Sequence, residues 1–250
     1  KWCRWLFSLV LLFTLLNTTL GIARAQDPIP GINPQLPRPP EDVIMAEGDI
    51  AVTTTTTLNL PALKAVLIVG NIDGDYGTWT LSEVNNMKLA EAVLRQNGVA
   101  VTAFYPPNNN WSAIKTAAQG AHFLLYRGHG VEWNSDPLVV GGFALSNGSN
   151  GYTFISNDMI RNELRLAANA IVMLYGCFTA GSYGGEVNLT SSGAQNRVYQ
   201  YADPFFDVGA GGYYANWWGD AFEKFLIYLF AGQTLGQAYQ SYADYNSTTV

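Results

Sequence analysis

Runs of apolar residues alternate along the chain with segments whose apolar residues recur at helical spacing. The continuous apolar runs cover residues 64–70, 99–105, 121–128 and 170–176, and a fifth strand is predicted near residues 208–218. Short apolar runs bounded by loop residues are typical of strands that are covered on both faces. The pattern therefore predicts a buried sheet of five strands.

The segments between these runs predict helices. In residues 81–98 the apolar side chains recur at helical spacing, with Ser82 as the expected N-cap and Gly98 just past the expected end. Further helices are predicted over residues 111–120, 156–168 and 219–243. This alternation predicts an α/β domain of three layers, with a mostly parallel sheet and helices on both faces.

The N-terminal region differs in composition from the rest. Residues 1–25 combine a basic start, the apolar stretch "WLFSLVLLFTLL" and the small-residue ending "ARA", which is the pattern of a secretory signal peptide. Cleavage is expected between Ala25 and Gln26, and an uncleaved anchor is the alternative. Residues 26–62 predict a proline- and threonine-rich linker, so the folded domain is expected over residues 63–250. The expected location is secreted, meaning extracellular, at the cell surface or periplasmic.

Charge and cysteine content narrow the classes of function. The formal net charge is −6, and loss of the three positive charges in residues 1–25 takes it to −9. Such an acidic chain is not expected to bind nucleic acid or, after signal cleavage, a membrane. Cys3 would leave with the signal peptide, so Cys177 would be the only remaining thiol and a candidate reactive one.

Two predicted strand ends carry the most distinctive chemistry. Residues 121–128 lead into His129, one of only two histidines, and residues 170–176 lead into Cys177. Strands joined by one helix are usually neighbours, and chemistry gathers outside the carboxyl ends of such strands. We therefore expect His129 and Cys177 to meet across one shallow cleft. His122 lies at the other end of its strand and is expected to be structural.

A cysteine beside a histidine is suited to nucleophilic catalysis. The imidazole deprotonates the thiol, the thiolate attacks, and the imidazolium then protonates the leaving amine. Gly130 allows a close approach of the backbone, and its N–H is expected to form an oxyanion hole with the N–H of Cys177. The predicted chemistry uses no metal and requires no cofactor.

These residues resemble the motifs of the caspase-like (clan CD) cysteine peptidases, in which His-Gly follows one core strand and a small residue plus Cys follows the next. The pairs here are His129-Gly130 and Gly176-Cys177. "GHGVEW" is most similar to the gingipain type, and the resemblance places Trp133 in the substrate pocket. "GAGGYYANWWGDAFEKFLIYLFAGQTLGQAY" resembles the last strand and helix of gingipain-like and CHAT-type members. The likeness covers about residues 65–245 and implies a caspase-like sandwich that cleaves peptides or proteins.

Two other functions remain open beside an exported cysteine endopeptidase. One is an inactive relative, a binding or scaffold module that recognises peptide in the same crevice without cutting it. The other is a calcium-stabilised surface protein without a peptide site. A lone cysteine at the end of a buried strand is often inert packing, so the reactivity of Cys177 distinguishes these functions.

The loop after the first strand contains two acids, Asp73 and Asp75, for which three interpretations compete. They are solvated or helix-start acids, or they pair with a basic side chain at the P1 position of a substrate, or they bind calcium. Asn71, Asp73 and Asp75 follow the 1-3-5 rhythm of a calcium loop, although position 6 is not glycine. Some clan members that cut after basic residues have an acid two residues before the cysteine, where this chain has Tyr175.

Overall fold

The computed structural model describes residues 23–25, 62–183, 186, 188–216 and 221–242. Its strands are β1 (Ala23–Ala25), β2 (Lys64–Val69), β3 (Ala100–Phe104), β4 (Phe123–Arg127), β5 (Val131–Trp133), β6 (Val139–Val140), β7 (Phe143–Ser146), β8 (Tyr152–Ile155), β9 (Ala170–Tyr175) and β10 (Ala210–Ala215). Its helices are α1 (Thr78–Gln96), α2 (Trp111–Ala117), α3 (Asn157–Glu163), α4 (Ser191–Asp207), α5 (Ala221–Phe230) and α6 (Leu235–Ser241).

Five strands form one all-parallel central sheet in the order β10-β9-β4-β2-β3. Numbered by their sequence within this sheet, the order is 2-1-3-4-5, in which the direction of winding reverses between β2 and β4. In open α/β sheets the crevice for ligands lies at such a reversal, outside the carboxyl ends of the strands. The five predicted strands and their shared direction are confirmed.

Both faces of the sheet are covered, because successive side chains of a strand point to opposite sides. In β2, Val66 and Ile68 pack with apolar side chains of α2, α3 and α4. Ala65, Leu67 and Val69 pack on the other side with α1, α5 and α6. The three-layer α/β architecture predicted from the sequence is confirmed.

Several elements differ from the prediction. The strand pairs β5–β6 and β7–β8 lie in a region expected to be loop. Helix α4 was also not predicted, because its first turn is polar and Pro204 interrupts the pattern, although Tyr201 and Phe205 are fully buried. Helix α1 has Gly77 as its N-cap, so the assignment of Ser82 was wrong. Gly98 follows the end of α1 with φ +75°, as expected for a residue that terminates a helix.

The predicted signal peptide contributes one described element. β1 (Ala23–Ala25) pairs antiparallel with β5, with Ala25 opposite Val131 and Ala23 opposite Trp133. Residues 1–22, and residues 26–61 of the predicted linker, lie outside the described residues. None of the helices that the structure describes combines the length and apolarity needed to cross a bilayer.

A buried ion pair joins the end of β4 to α1. Arg127 is fully buried, and its Nε donates to Oε2 of Glu83 over 2.5 Å. Its guanidinium lies 4.1 Å from the ring centre of Tyr175 and 5.0 Å from that of Phe222. Burial, followed by the charge of Glu83, raises the pKa of Tyr175, which keeps the phenol neutral. One charged residue in an apolar strand is thus accommodated by a partner from the neighbouring layer.

Removing one member of this pair is expected to destabilise the fold strongly. Glu83→Ala leaves the Arg127 charge buried, and we expect the free energy of unfolding to fall by about 3–5 kcal/mol. The double replacement Glu83→Leu with Arg127→Met removes both charges and should retain most of the stability. Urea denaturation measures both variants. Asp158→Asn is the matched control, because the pair of Asp158 with Arg161 spans 3.5 Å at the surface and contributes at most about 1 kcal/mol.

Candidate functional site

The register of β4 and β9 brings His129 and Cys177 to the same level. Arg127 and Tyr175 are paired in the parallel ladder, and the N–H of Gly128 donates to the Tyr175 carbonyl over 3.0 Å. His129 and Cys177 each follow two residues after those paired positions. The predicted adjacency of the two strand ends is therefore present in the structure.

The glycines at this point let two backbone segments touch. A Cβ added to Gly130 would overlap the carbonyl oxygen of Cys177 and lie 2.7 Å from its Cα. A Cβ added to Gly176 would lie 2.7 Å from the Gly128 carbonyl oxygen and 3.0 Å from the Gly130 nitrogen. The backbones of Gly130 and Cys177 are thus direct neighbours, although their joint role as an oxyanion hole stays a prediction.

The chain turns sharply after Cys177. Phe178 adopts φ +68°, a left-handed conformation that costs a bulky residue roughly 1–2 kcal/mol. Its N–H donates to the Ser182 carbonyl over 2.7 Å, and the Thr179 hydroxyl donates to the Gly176 carbonyl over 2.7 Å. The Phe178 ring is fully buried against Tyr183. These contacts stabilise a strained residue directly after the candidate nucleophile. Strained backbone conformations are often found in functional sites.

The His129 ring is oriented by a backbone carbonyl. Its Nε2 lies 2.9 Å from the oxygen of Ile72, in the loop that follows β2. Because a carbonyl oxygen only accepts hydrogen bonds, this contact assigns the hydrogen to Nε2. In the neutral ring Nδ1 is then the nitrogen with the lone pair. The Tyr152 hydroxyl donates to the same carbonyl over 3.0 Å and lies 3.3 Å from Nε2.

Two tyrosines fix the backbone on either side of His129. The Tyr126 hydroxyl donates to the His129 carbonyl over 2.9 Å, and burial raises the pKa of Tyr126, so the phenol remains a donor. The Tyr201 hydroxyl accepts from the Val131 N–H over 2.6 Å, and burial likewise raises the pKa of Tyr201. The segment from His129 to Val131 is therefore held by side chains from two elements.

Both candidate catalytic side chains are buried. His129 is 1% exposed and Cys177 is 3% exposed. The sequence predicted that these side chains meet across a shallow cleft, but in the part of the chain that the structure describes both are enclosed by the protein.

Asp73 caps helix α1 from outside the helix. Its carboxylate accepts from the N–H of Trp79 over 3.1 Å, and from the N–H and hydroxyl of Thr80 over 3.0 and 3.1 Å. Burial raises the pKa of Asp73, but these hydrogen bonds outweigh it, so the pKa lies below its usual value. The Thr80 hydroxyl in turn accepts from the Ile72 N–H over 2.9 Å. This geometry is that of a helix-start acid, one of the three interpretations of the acidic loop.

Asp75 ties the same loop to the turn between β7 and β8. Its carboxylate accepts from the Ser146 hydroxyl and, over 3.2 Å, from the N–H of Asn150. Its own N–H donates to the Asn150 side chain over 2.9 Å. The carboxylate is buried and already has protein donors, so a role of Asp75 in a substrate pocket stays a prediction that these contacts do not favour.

The remaining predicted residues have separate positions. Trp133 is half-buried in β5, and its indole N–H donates to the Gly141 carbonyl over 3.0 Å; its place in a substrate pocket stays a prediction. His122 lies at the amino end of β4, where its Nδ1 accepts from the Lys64 N–H over 3.2 Å. Over the part of the chain that the structure describes, no three His, Cys, Asp or Glu side chains group as a candidate metal site.

Sequence reasoning missed the groups around the His129 ring. The Ile72 carbonyl has no side-chain signature, and Tyr152 lies in a stretch expected to be loop. A signal for the β7–β8 hairpin was nevertheless present, because "FALS" and "YTFI" flank the turn residues "NGSNG". Recognising that hairpin would have placed Tyr152 at the start of a strand.

Comparisons with known proteins give a weak structural likeness. No protein-family model matches the chain, and no curated protein matches its sequence. Among solved structures, the chain resembles a short-chain flavodoxin associated with a PDU bacterial microcompartment. The identity is 13% and the TM-score 0.38, over 69% of this chain and 99% of the flavodoxin chain. A likeness at this level carries no argument about family or function.

The contact between Gly130 and Cys177 predicts a sharp response to one added methyl group. Gly130→Ala places a Cβ on the Cys177 carbonyl oxygen, so the backbone must shift, and we expect a loss of about 1–3 kcal/mol or more in the free energy of unfolding. Gly236→Ala in α6 is the matched control, because a Cβ there meets nothing within 4 Å. That change should stabilise the protein by about 0.5–1 kcal/mol. Equal effects of the two changes would contradict this account of Gly130.

The capping role of Asp73 predicts a pH-dependent contribution to stability. Asp73→Ala should lower the free energy of unfolding by about 1 kcal/mol near pH 7. Since the folded pKa is depressed, the charged carboxylate contributes fully above its unfolded pKa of about 3.9. This part is lost as the pH falls further through the folded value. Denaturation of both proteins from pH 7 to pH 3 measures the difference, and a difference that grows toward low pH would refute the assignment.

Proposed function

We propose that this protein is an exported cysteine endopeptidase that cleaves peptide bonds with Cys177 and His129. The proposal depends on one observation. His129 and Cys177 follow the adjacent strands β4 and β9 at matching positions, and Nε2 of the imidazole is hydrogen-bonded to the Ile72 carbonyl. Ring orientation by a third group is the arrangement that a thiol–imidazole pair needs for catalysis. The resemblance to gingipain-type members of the caspase-like peptidases supports the same reaction.

The proposed reaction has two stages, acylation of Cys177 and hydrolysis of the resulting thioester. Nδ1 of His129 takes the thiol proton, the Cys177 sulfur attacks the substrate carbonyl carbon, and a tetrahedral oxyanion forms. The oxyanion collapses, the C–N bond breaks, and the imidazolium gives its proton to the departing amine, which leaves a thioester on Cys177. Water then attacks the thioester while Nδ1 takes its proton. Collapse of this second intermediate breaks the C–S bond and releases the carboxylic acid, and the imidazolium returns its proton to the Cys177 sulfur.

Two backbone N–H groups are proposed to stabilise the oxyanion. The nitrogens of Gly130 and Cys177 belong to segments in direct contact, and both lie at the carboxyl edge of the sheet. Donors that are fixed before the reaction stabilise developing charge without reorganisation. Because Tyr126, Tyr201 and the turn at Phe178 hold both segments in place, these donors are already fixed in the closed site.

Substrate entry requires the site to open. Cys177 is 3% exposed, so the structure represents a closed state of the proposed enzyme. A peptide binds after the residues that bury Cys177 have moved. The same observation favours a second candidate function, an inactive module in which Cys177 is core packing. The rate at which the thiol reacts with an alkylating reagent distinguishes the two, because a catalytic thiolate reacts much faster than a packed thiol.

The proposed preference for a basic P1 residue can be tested separately from the reaction itself. A charge-assisted pair between a substrate Arg or Lys and Asp73 or Asp75 would contribute roughly 1.5–3 kcal/mol. Both carboxylates already accept hydrogen bonds from the protein's own groups, so such a pair requires them to exchange partners. A peptide series that varies only at P1 measures this preference.

The central prediction concerns Cys177 and His129 on a panel of fluorogenic peptides. Cys177→Ala should reduce kcat/KM to background, and His129→Ala should reduce it by about 10²–10⁴-fold. His122→Ala is the matched control: it replaces the chain's other histidine, at the opposite end of the same strand, and should leave kcat/KM within about twofold. Circular dichroism and thermal melting verify that each variant is folded.

Hydrolysis by folded Cys177→Ala at the rate of the unmodified protein would refute the proposal. If the unmodified protein cleaves no peptide and its thiol alkylates slowly, the inactive module is the better account. Rapid alkylation that His129→Ala abolishes, without hydrolysis of the panel, would support the thiol–imidazole pair but not the peptidase function.

A further inference from the structure

Tyr152 is the first residue of β8 and reaches the candidate site from outside the central sheet. Its hydroxyl lies 3.0 Å from the Ile72 oxygen and 3.3 Å from Nε2 of His129. The two rings meet edge to face, with centres 5.5 Å apart and planes at 74°. One phenol therefore contacts both the imidazole and the carbonyl that orients it.

The hairpin that carries Tyr152 is fastened to the loop that carries Ile72. Besides the contacts of Asp75 with Ser146 and Asn150, the Asn71 side chain donates to the Gly151 carbonyl over 3.2 Å. These polar contacts join the turn directly before Tyr152 to the loop after β2. Tyr152 and Ile72 are therefore presented to His129 as one assembly.

We propose that Tyr152 is a positioning residue for His129, a role that rests on the proposed peptidase function. With its own hydrogen on the Ile72 carbonyl, the hydroxyl oxygen turns its lone pairs toward Nε2–H. The tautomer with hydrogen on Nε2 then has two acceptors. A bare Nε2 would instead set its lone pair against the Ile72 carbonyl oxygen. Because the Tyr152 hydrogen is directed to that carbonyl, its hydroxyl gives Nε2–H a second acceptor and adds to the preference for the tautomer whose Nδ1 accepts the thiol proton.

The hydroxyl also restrains rotation of the imidazole. A single hydrogen bond to Ile72 allows the ring plane to rock about the bond axis, whereas two oxygens and an edge-to-face neighbour define the plane as well. Because a base must be held in the reactive geometry to be efficient, loss of the hydroxyl should affect the chemical step more than substrate binding. Tyr152 touches neither the sulfur nor the substrate in this proposal.

The test is Tyr152→Phe, which removes one oxygen and keeps the ring and its contact with His129. We expect kcat on a cleaved peptide to fall about two- to tenfold, the effect of one neutral hydrogen bond, and KM to stay within about twofold. Histidine ring ¹⁵N spectra provide a readout that does not depend on activity. The unmodified protein should show His129 with its hydrogen on Nε2. The variant keeps the Ile72 acceptor, so its His129 signals should shift because Nε2–H loses its second acceptor.

The chain supplies its own controls. His122 is the only other histidine, so its ring signals should be unchanged by Tyr152→Phe. Tyr76→Phe makes the same chemical change at a side chain that is 72% exposed and should alter neither kcat nor the spectra. A thermal melt compares the stability of the two variants.

The outcomes separate the positioning role from the proposed function. If Tyr152→Phe leaves both kcat and the His129 signals unchanged, or if the hydrogen of the unmodified protein lies on Nδ1, the positioning role is overturned. If the unmodified protein cleaves no peptide but the His129 signals move in the variant, the peptidase function fails while Tyr152 still positions the His129 ring. A fall in kcat together with moved signals supports both.

Discussion

The contact between two backbone segments, at residues 128–130 and 176–177, is the constraint on which the candidate site depends. Parallel pairing of β4 with β9 sets the two segments level, and the absence of side chains at Gly130 and Gly176 lets them meet. A histidine and a cysteine that are 48 positions apart in sequence thereby become neighbours. The tight turn at Phe178 then ends the segment directly after Cys177.

A second network sets the direction of the imidazole, and it comes from outside these two strands. Asp73 fastens the first turn of α1, Thr80 passes that constraint to the Ile72 N–H, and the Ile72 carbonyl receives Nε2 of His129. Each of these contacts is an ordinary hydrogen bond, and each restrains a residue that takes part in the following contact. The start of helix α1 thus helps to hold the residue whose carbonyl contacts the His129 ring.

The positions of the strand ends could be predicted from the sequence, whereas the surroundings of the His129 ring could not. Buried parallel strands appear as apolar runs, so the position of His129 and Cys177 after two such runs predicted their meeting. The role of the Ile72 carbonyl could not be predicted, because every residue has a carbonyl group and only the folded loop brings this one to the His129 ring. Nor did the composition of the acidic loop distinguish a helix cap from a substrate pocket, since a carboxylate serves either. The closure of the site depends on long-range packing, which periodicity does not encode.

The glycines of this site also bear on how distant homologues can be compared. Gly130 and Gly176 are required by the approach of two backbones, whatever side chains their neighbours have. A homologue that has lost the thiol or the imidazole during evolution would still need both glycines to assemble the sheet. Retention of the glycines in an alignment would therefore report the close approach of the two backbones, and only the residues beside them would report the chemistry of the site.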